Sequence, residues 1–105
     1  MGKKLEKYLV DIAIRGINKN LDPTALEDFD FELGMRPHIQ NKKVHWDNDA
    51  NLLIAQVEVE SPDEKFAADW MWDELFETAN AVLQSIEGLN VKILQSRRSD
   101  SSEET

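Results

Sequence analysis

The sequence predicts an α+β domain, an antiparallel sheet with one long C-terminal helix packed on one face. Three observations carry this. Residues 8–17 alternate apolar and polar with a period of two, as a half-buried strand does. Residues 42–60 hold two further alternating runs around a cluster of turn formers. Residues 61–88 repeat apolar side chains at helical spacing between a helix-start and a helix-stop signal.

In the first run, Tyr8, Val10, Ile12 and Ile14 fall on one side, and Leu9, Asp11, Ala13 and Arg15 on the other. β-Branched content and one strongly apolar face predict a central strand of a sheet with one covered face. Next, Asp22 can cap a helix and Pro23 suits its first position. Leu26, Phe29 and Leu33 share a helical face, but Phe31 falls opposite. In extended chain Phe29, Phe31, Leu33 and Met35 share one side. The alternation predicts a short helix or turn over 23–28 and extended chain over 29–35, ended by Gly34 and Pro37.

The hairpin runs from Lys43-Val44-His45-Trp46 through Asp47-Asn48-Asp49-Ala50-Asn51 to a return strand over 52–60. Leu53, Ala55, Val57 and Val59 face one way; Leu52, Ile54, Gln56, Glu58 and Glu60 face the other. The long helix is predicted to start at Ser61, with Pro62 in its first turn and Glu64 completing a capping box, and to end at Gly88. Ala68, Met71, Trp72, Leu75, Phe76, Ala79, Val82, Leu83 and Ile86 form its core stripe. A last strand is expected over 90–95. Residues 96–105 carry nothing to bury and read as a disordered tail, which leaves residues 1–95 as one α+β domain. With the short helix formed, the order is β-α-β-β-α-β, the ferredoxin-like pattern. With 29–35 as a strand, the sheet gains a member instead.

Composition narrows function mainly by exclusion. The chain has 105 residues, a net charge of −9 and no cysteine. Disulfides, thiolate metal sites and cysteine nucleophiles are excluded, and no cofactor is expected. The N-terminus lacks the apolar core of a signal peptide, and no stretch has the length of a membrane span, so a soluble cytoplasmic protein is expected. Scattered, outnumbered cations argue against nucleic acid and anionic membranes as partners.

Catalytic motifs are missing: there is no Gly-rich phosphate loop, Gly-x-Ser-x-Gly or His-Glu-x-x-His. His38 and His45 read as surface residues of a basic loop with Arg36, Lys42 and Lys43. Asp47, Asp49 and Asn51 have the alternation of a calcium loop, but Leu52 stands where the turn-making glycine belongs, and a hairpin turn is the reading. Asp11 is expected on a solvated sheet face near Arg15.

The outlier is aromatic. Phe66 and Trp70, one helical turn apart, sit off the core stripe among Asp69, Asp73, Glu74 and Glu77, while Trp72 projects to a different side. These six residues are the candidate partner-binding surface, an apolar anchor with a charged rim. Charge is also segregated: residues 22–32 hold five acids and no base, 63–87 seven acids and one base, and 36–45 three bases and no acid. A basic loop set against an acidic helix makes a bipolar molecule. The expectation is a small acidic non-catalytic interaction domain that binds a protein partner or itself, as an inhibitor or immunity-like antagonist, an adaptor or a scaffold. The alternative is a ligand-binding or enzymatic ferredoxin-like dimeric α+β barrel domain, with a pocket between sheet and helix and His45, Trp46, Asp11 and Arg15 as its polar groups.

Overall fold

The computed structural model describes residues 5–17, 23–47, 49–83 and 85–99, with backbone alone over 85–87. Its elements are β1 (Glu6–Ile17), α1 (Pro23–Gly34), β2 (Ile39–Asp47), β3 (Leu52–Ser61), α2 (Glu64–Val82) and β4 (Ser85–Arg98). The four strands form one antiparallel sheet in the order β2-β3-β1-β4. The fold is α+β. Among the described residues no helix is long and apolar enough to cross a membrane.

β1 is central, and Val10, Ile12 and Ile14 are fully buried. In register they meet Val57, Ala55 and Leu53 of β3, so one face of two strands becomes continuous core. Both helices cover that face. Phe29 and Leu33 of α1 and Ala67, Met71, Leu75 and Ala79 of α2 join the same cluster.

The segment expected to be extended over 29–35 is instead the end of α1, through Gly34, with Met35 in the turn that follows. Phe29 and Leu33 are one turn apart and fully buried, whereas Phe31 and Met35 are exposed at 62% and 63%. The alternation was a by-product of two aromatics on opposite helix faces. Burying one face against the sheet outweighed it. The proposed cap, Asp22, lies outside the described residues.

α2 is shorter than expected, 19 residues and about 28 Å. Ser61 does not cap it but closes β3, buried opposite Glu6. Asp63 caps instead, its carboxylate accepting from the Phe66 amide at 2.7 Å. At the other end the helix stops at Leu83, whose amide donates to the Ala79 carbonyl at 2.7 Å. Gly88 therefore belongs to β4, not to a helix cap. The core stripe is rotated toward Ala67 and Thr78, both buried, while Ala68, Trp72 and Phe76 flank it half-buried. Ile86 lies on β4, not on the helix.

β4 spans Ser85–Arg98, beyond the expected 90–95 at both ends. Residues 96–98, expected in the tail, pair with β1, and the Ser99 amide donates to the Lys7 carbonyl at 2.8 Å. The 12-residue β1 offers backbone partners that composition alone does not reveal. Residues 100–105 of the expected tail lie outside the described residues. Where β4 returns past the end of β1, Gly16 adopts φ +89 and Gly88 φ +102. A Cβ on Gly16 would overlap the Gly88 carbonyl oxygen, so this crossing requires glycine.

Candidate interaction surface

α2 presents Phe66, Asp69, Trp70 and Asp73 on its outer side, and these four line one shallow hollow. They fall at i, i+3, i+4 and i+7, adjacent along two turns. Phe66 is 51% exposed. Its ring meets Trp70 edge-on, with centroids 5.8 Å apart and planes at 67°. Trp70 is half-buried rather than open, because His38 stacks on its face at 4.5 Å and 22°. Asp69 bonds to Lys65 at 3.1 Å on the exposed surface, and Asp73 is exposed.

Glu74 and Glu77 are engaged from within the chain. The turn after α1, held by the Ile39 amide to the Arg36 carbonyl, delivers Arg36 and His38 to the flank of α2. The Arg36 guanidinium pairs with Glu74, whose side chain is only 15% exposed, and comes within 3.9 Å of Glu77. His38 Nε2 lies 3.4 Å from the same Glu74 oxygen. Lys42 pairs with Asp30 of α1 at 2.8 Å. The expected basic pole is therefore partly spent inside the molecule, because the loop that carries it folds onto acidic helices. The sequence shows the charges but not that the α1–β2 turn lies beside α2.

Trp72 points to the opposite flank, stacks on Phe76 at 5.0 Å and 11°, and donates its indole N–H to the Val91 carbonyl at 2.7 Å. It is a clamp between α2 and β4.

The second set of candidates is divided by the sheet. Trp46 pairs with Leu53 on the covered side, where Leu26, Glu27, Asp30, Val44, Trp46 and Leu53 line an open groove. His45, Asp11 and Arg15 lie on the uncovered side. Asp11 accepts from Gln56 Nε2 at 2.9 Å; among the described residues no ion pair joins it to Arg15. In the 47–51 turn the Ala50 amide donates to Asp47 Oδ1 at 3.1 Å, and Asn51, at φ 53, donates its side-chain amide to the Ile17 carbonyl at 3.1 Å. The oxygen side chains thus shape a turn. Among the described residues no three His, Asp or Glu side chains gather as a metal-ligand group.

Sequence reasoning missed Glu58, a carboxylate on the polar side of β3 that is only 9% exposed. Ser99 Oγ donates to it at 2.7 Å and Asn41 Nδ2 at 2.7 Å. The Ser99 bond, then the Asn41 bond and the charge of Lys7, hold its pKa below the ordinary value of 4.5 against the opposing effect of burial. The signal was hidden because Ser99 sits in the segment read as tail.

No protein-family model matches the sequence, and no curated protein matches it. A solved structure, that of the uncharacterized protein TM1266 from Thermotoga maritima, superposes over 88% of this chain and 100% of its own, with a TM-score of 0.42 and 14% identity.

Proposed function

We propose that this chain is a small acidic, non-catalytic interaction domain that docks a basic protein surface through the outer side of α2. The observation that carries it is Phe66, 51% exposed on a helix whose neighbouring outward acids are Asp69 and Asp73. Trp70 beneath it is held by His38, so the anchor is pre-ordered and loses little freedom on binding. Antagonist, adaptor and scaffold roles all use such a surface. We also read the fold as ferredoxin-like; the element order β1-α1-β2-β3-α2-β4 supports that reading.

The test is affinity capture from the native cell extract with wild type, Phe66→Ala and Asp69→Lys, each checked for an unchanged melting profile. The specific partner of the wild type is lost by both variants. A partner retained at full yield by both would remove α2 as the docking site.

The groove between α1 and the β2–β3 hairpin favours a second reading, a ligand site beside Trp46. Its volume, about 290 Å³, is near the lower limit for small-molecule sites. Amide chemical-shift mapping with a fragment set decides it: no shifts around Trp46, Leu26 and Leu53 would end this reading.

A further inference from the structure

The uncovered face of the sheet collects a particular set of charges. Nine Lys and Arg side chains lie among the described residues. Four of them, Arg36, Lys42, Lys65 and Arg98, are ion-paired to Glu74, Asp30, Asp69 and Glu6. The other five, Lys7, Arg15, Lys43, Lys92 and Arg97, form no ion pair among the described residues, and all five are exposed. Register places every one of them on the uncovered face, opposite Glu60 and Gln56 of β3, Ala13 and Leu9 of β1, and Asn90 of β4.

That face is mixed rather than basic throughout. Glu60 is exposed on it beside Lys7. Asp11 and Glu58 are also there, each already satisfied by hydrogen bonds. Leu9, Leu52 and Ile54 are half-buried between these charges, and Ala13 lies low at the centre, 3% exposed. Apolar side chains interleaved with charges of both signs, as Leu9 with Asp11 and Glu58 here, suit a self-complementary contact better than a polyanion.

We propose that this face is the interface of a homodimer, two copies stacked sheet on sheet about a two-fold axis that runs along the strands between β1 and β3. This surface is separate from the α2 surface and does not rest on it. The axis sets β1 over the second copy's β3 at equal height, so each side chain meets the residue type that is its own cross-strand neighbour. Lys7 meets Glu60, Asp11 meets Gln56, and Ala13 meets Ile54 of the second copy. A two-fold axis across the strands, centred on the sheet, would set Asp11 on Asp11 and Lys7 on Arg15, and like-charge contacts of that kind oppose binding. Four strands at ~4.8 Å spacing and nine residues at ~3.4 Å rise give roughly 600 Å² per copy, or about 1,200 Å² in all, the lower end for a specific interface.

Sedimentation equilibrium of the full chain, from micromolar to hundreds of micromolar, tests this. The expected result is a reversible species of twice 12.1 kDa. Ile54→Lys and Lys7→Glu each weaken dimerisation by about tenfold or more, and Lys7→Glu combined with Glu60→Lys restores it. Each variant is first shown by circular dichroism to melt as the wild type does, and the restored double variant controls for misfolding. A monomer over the whole range overturns the proposal. So does a dimer indifferent to both single variants. Growth beyond two copies overturns it too, because the cations would then be meeting the acidic helices of a next copy in an open chain. A dimer broken by Phe66→Ala but not by Ile54→Lys places self-association on α2, which overturns this proposal while leaving the α2 surface standing.

Discussion

The imidazole of His38 lies on the indole of Trp70, with ring centroids 4.5 Å apart and planes 22° from parallel. One ring comes from the turn after α1 and the other from the outer side of α2, so the pair ties the two helices together above the core. His38→Ala is expected to cost about 0.5–1.5 kcal/mol in urea unfolding, the range for aromatic pairs beyond their area. The same substitution should shift Trp70 fluorescence, measured with Trp46 and Trp72 replaced by Phe. An unchanged Trp70 spectrum would mean the stack does not persist in solution.

Glu74 accepts from Arg36 and lies near His38 at low exposure. Glu74→Ala leaves the Arg36 guanidinium half-buried without its acceptor, at an expected loss of about 1–3 kcal/mol. Asp73→Ala, one position along and exposed, should change stability by less than about 0.5 kcal/mol. A double-mutant cycle with Arg36→Ala isolates the pair. Equal losses for Glu74→Ala and Asp73→Ala would contradict the placement of Arg36.

The two positions that separate the helix from the extended reading of α1 can be tested together with the α2 core. Leu75→Ala should cost about 2–5 kcal/mol, because Leu75 is fully buried. Phe29→Ala should cost about 3–5 kcal/mol for the same reason. Phe31→Ala, on the exposed face, should stay within about 0.5 kcal/mol. Denaturant melting of the three variants checks this, and a large loss for Phe31 would restore the strand reading of 29–35.

Gly16 and Gly88 both have positive φ, but only Gly16 lacks room for a Cβ. Gly88→Ala should therefore cost about 1–2 kcal/mol from backbone strain alone. Gly16→Ala adds a clash with the Gly88 carbonyl and should cost clearly more, with β4 amides near Gly88 losing hydrogen-exchange protection. Equal costs would show that the close crossing relaxes freely.

Glu58 gives a pH signature. Its folded pKa lies below 4.5, chiefly through the Ser99 bond and then the Asn41 bond. A carboxylate depressed on folding contributes stability that is fully present above its unfolded pKa and is lost as pH falls through the folded value. Ser99→Ala should raise the Glu58 pKa in a side-chain carboxyl NMR titration and flatten the fall of the urea midpoint below about pH 4.5. No difference between wild type and variant would mean that the end of β4 does not hold this carboxylate.

The sequence by itself determined the α+β class, the core strand around Val10, Ile12 and Ile14, the hairpin and the existence of α2. Period and turn chemistry are local properties, and these elements are long or well marked. Helical spacing also separated Phe66 from the α2 core stripe, whereas Trp70, expected beside it, packs half-buried against the core cluster. Only the tertiary structure decided that 29–34 is helix, because the choice between two apolar patterns depends on which face the sheet covers. Only it decided where β4 ends, because backbone partners on β1 lie far away in sequence. The charges divide in the same way. Acids clustered along the chain were visible at once, but not which cations would neutralise them. Strand register and the fold of the α1–β2 turn send Arg36 and Lys42 to the helices and leave five of the cations among the described residues on the uncovered sheet.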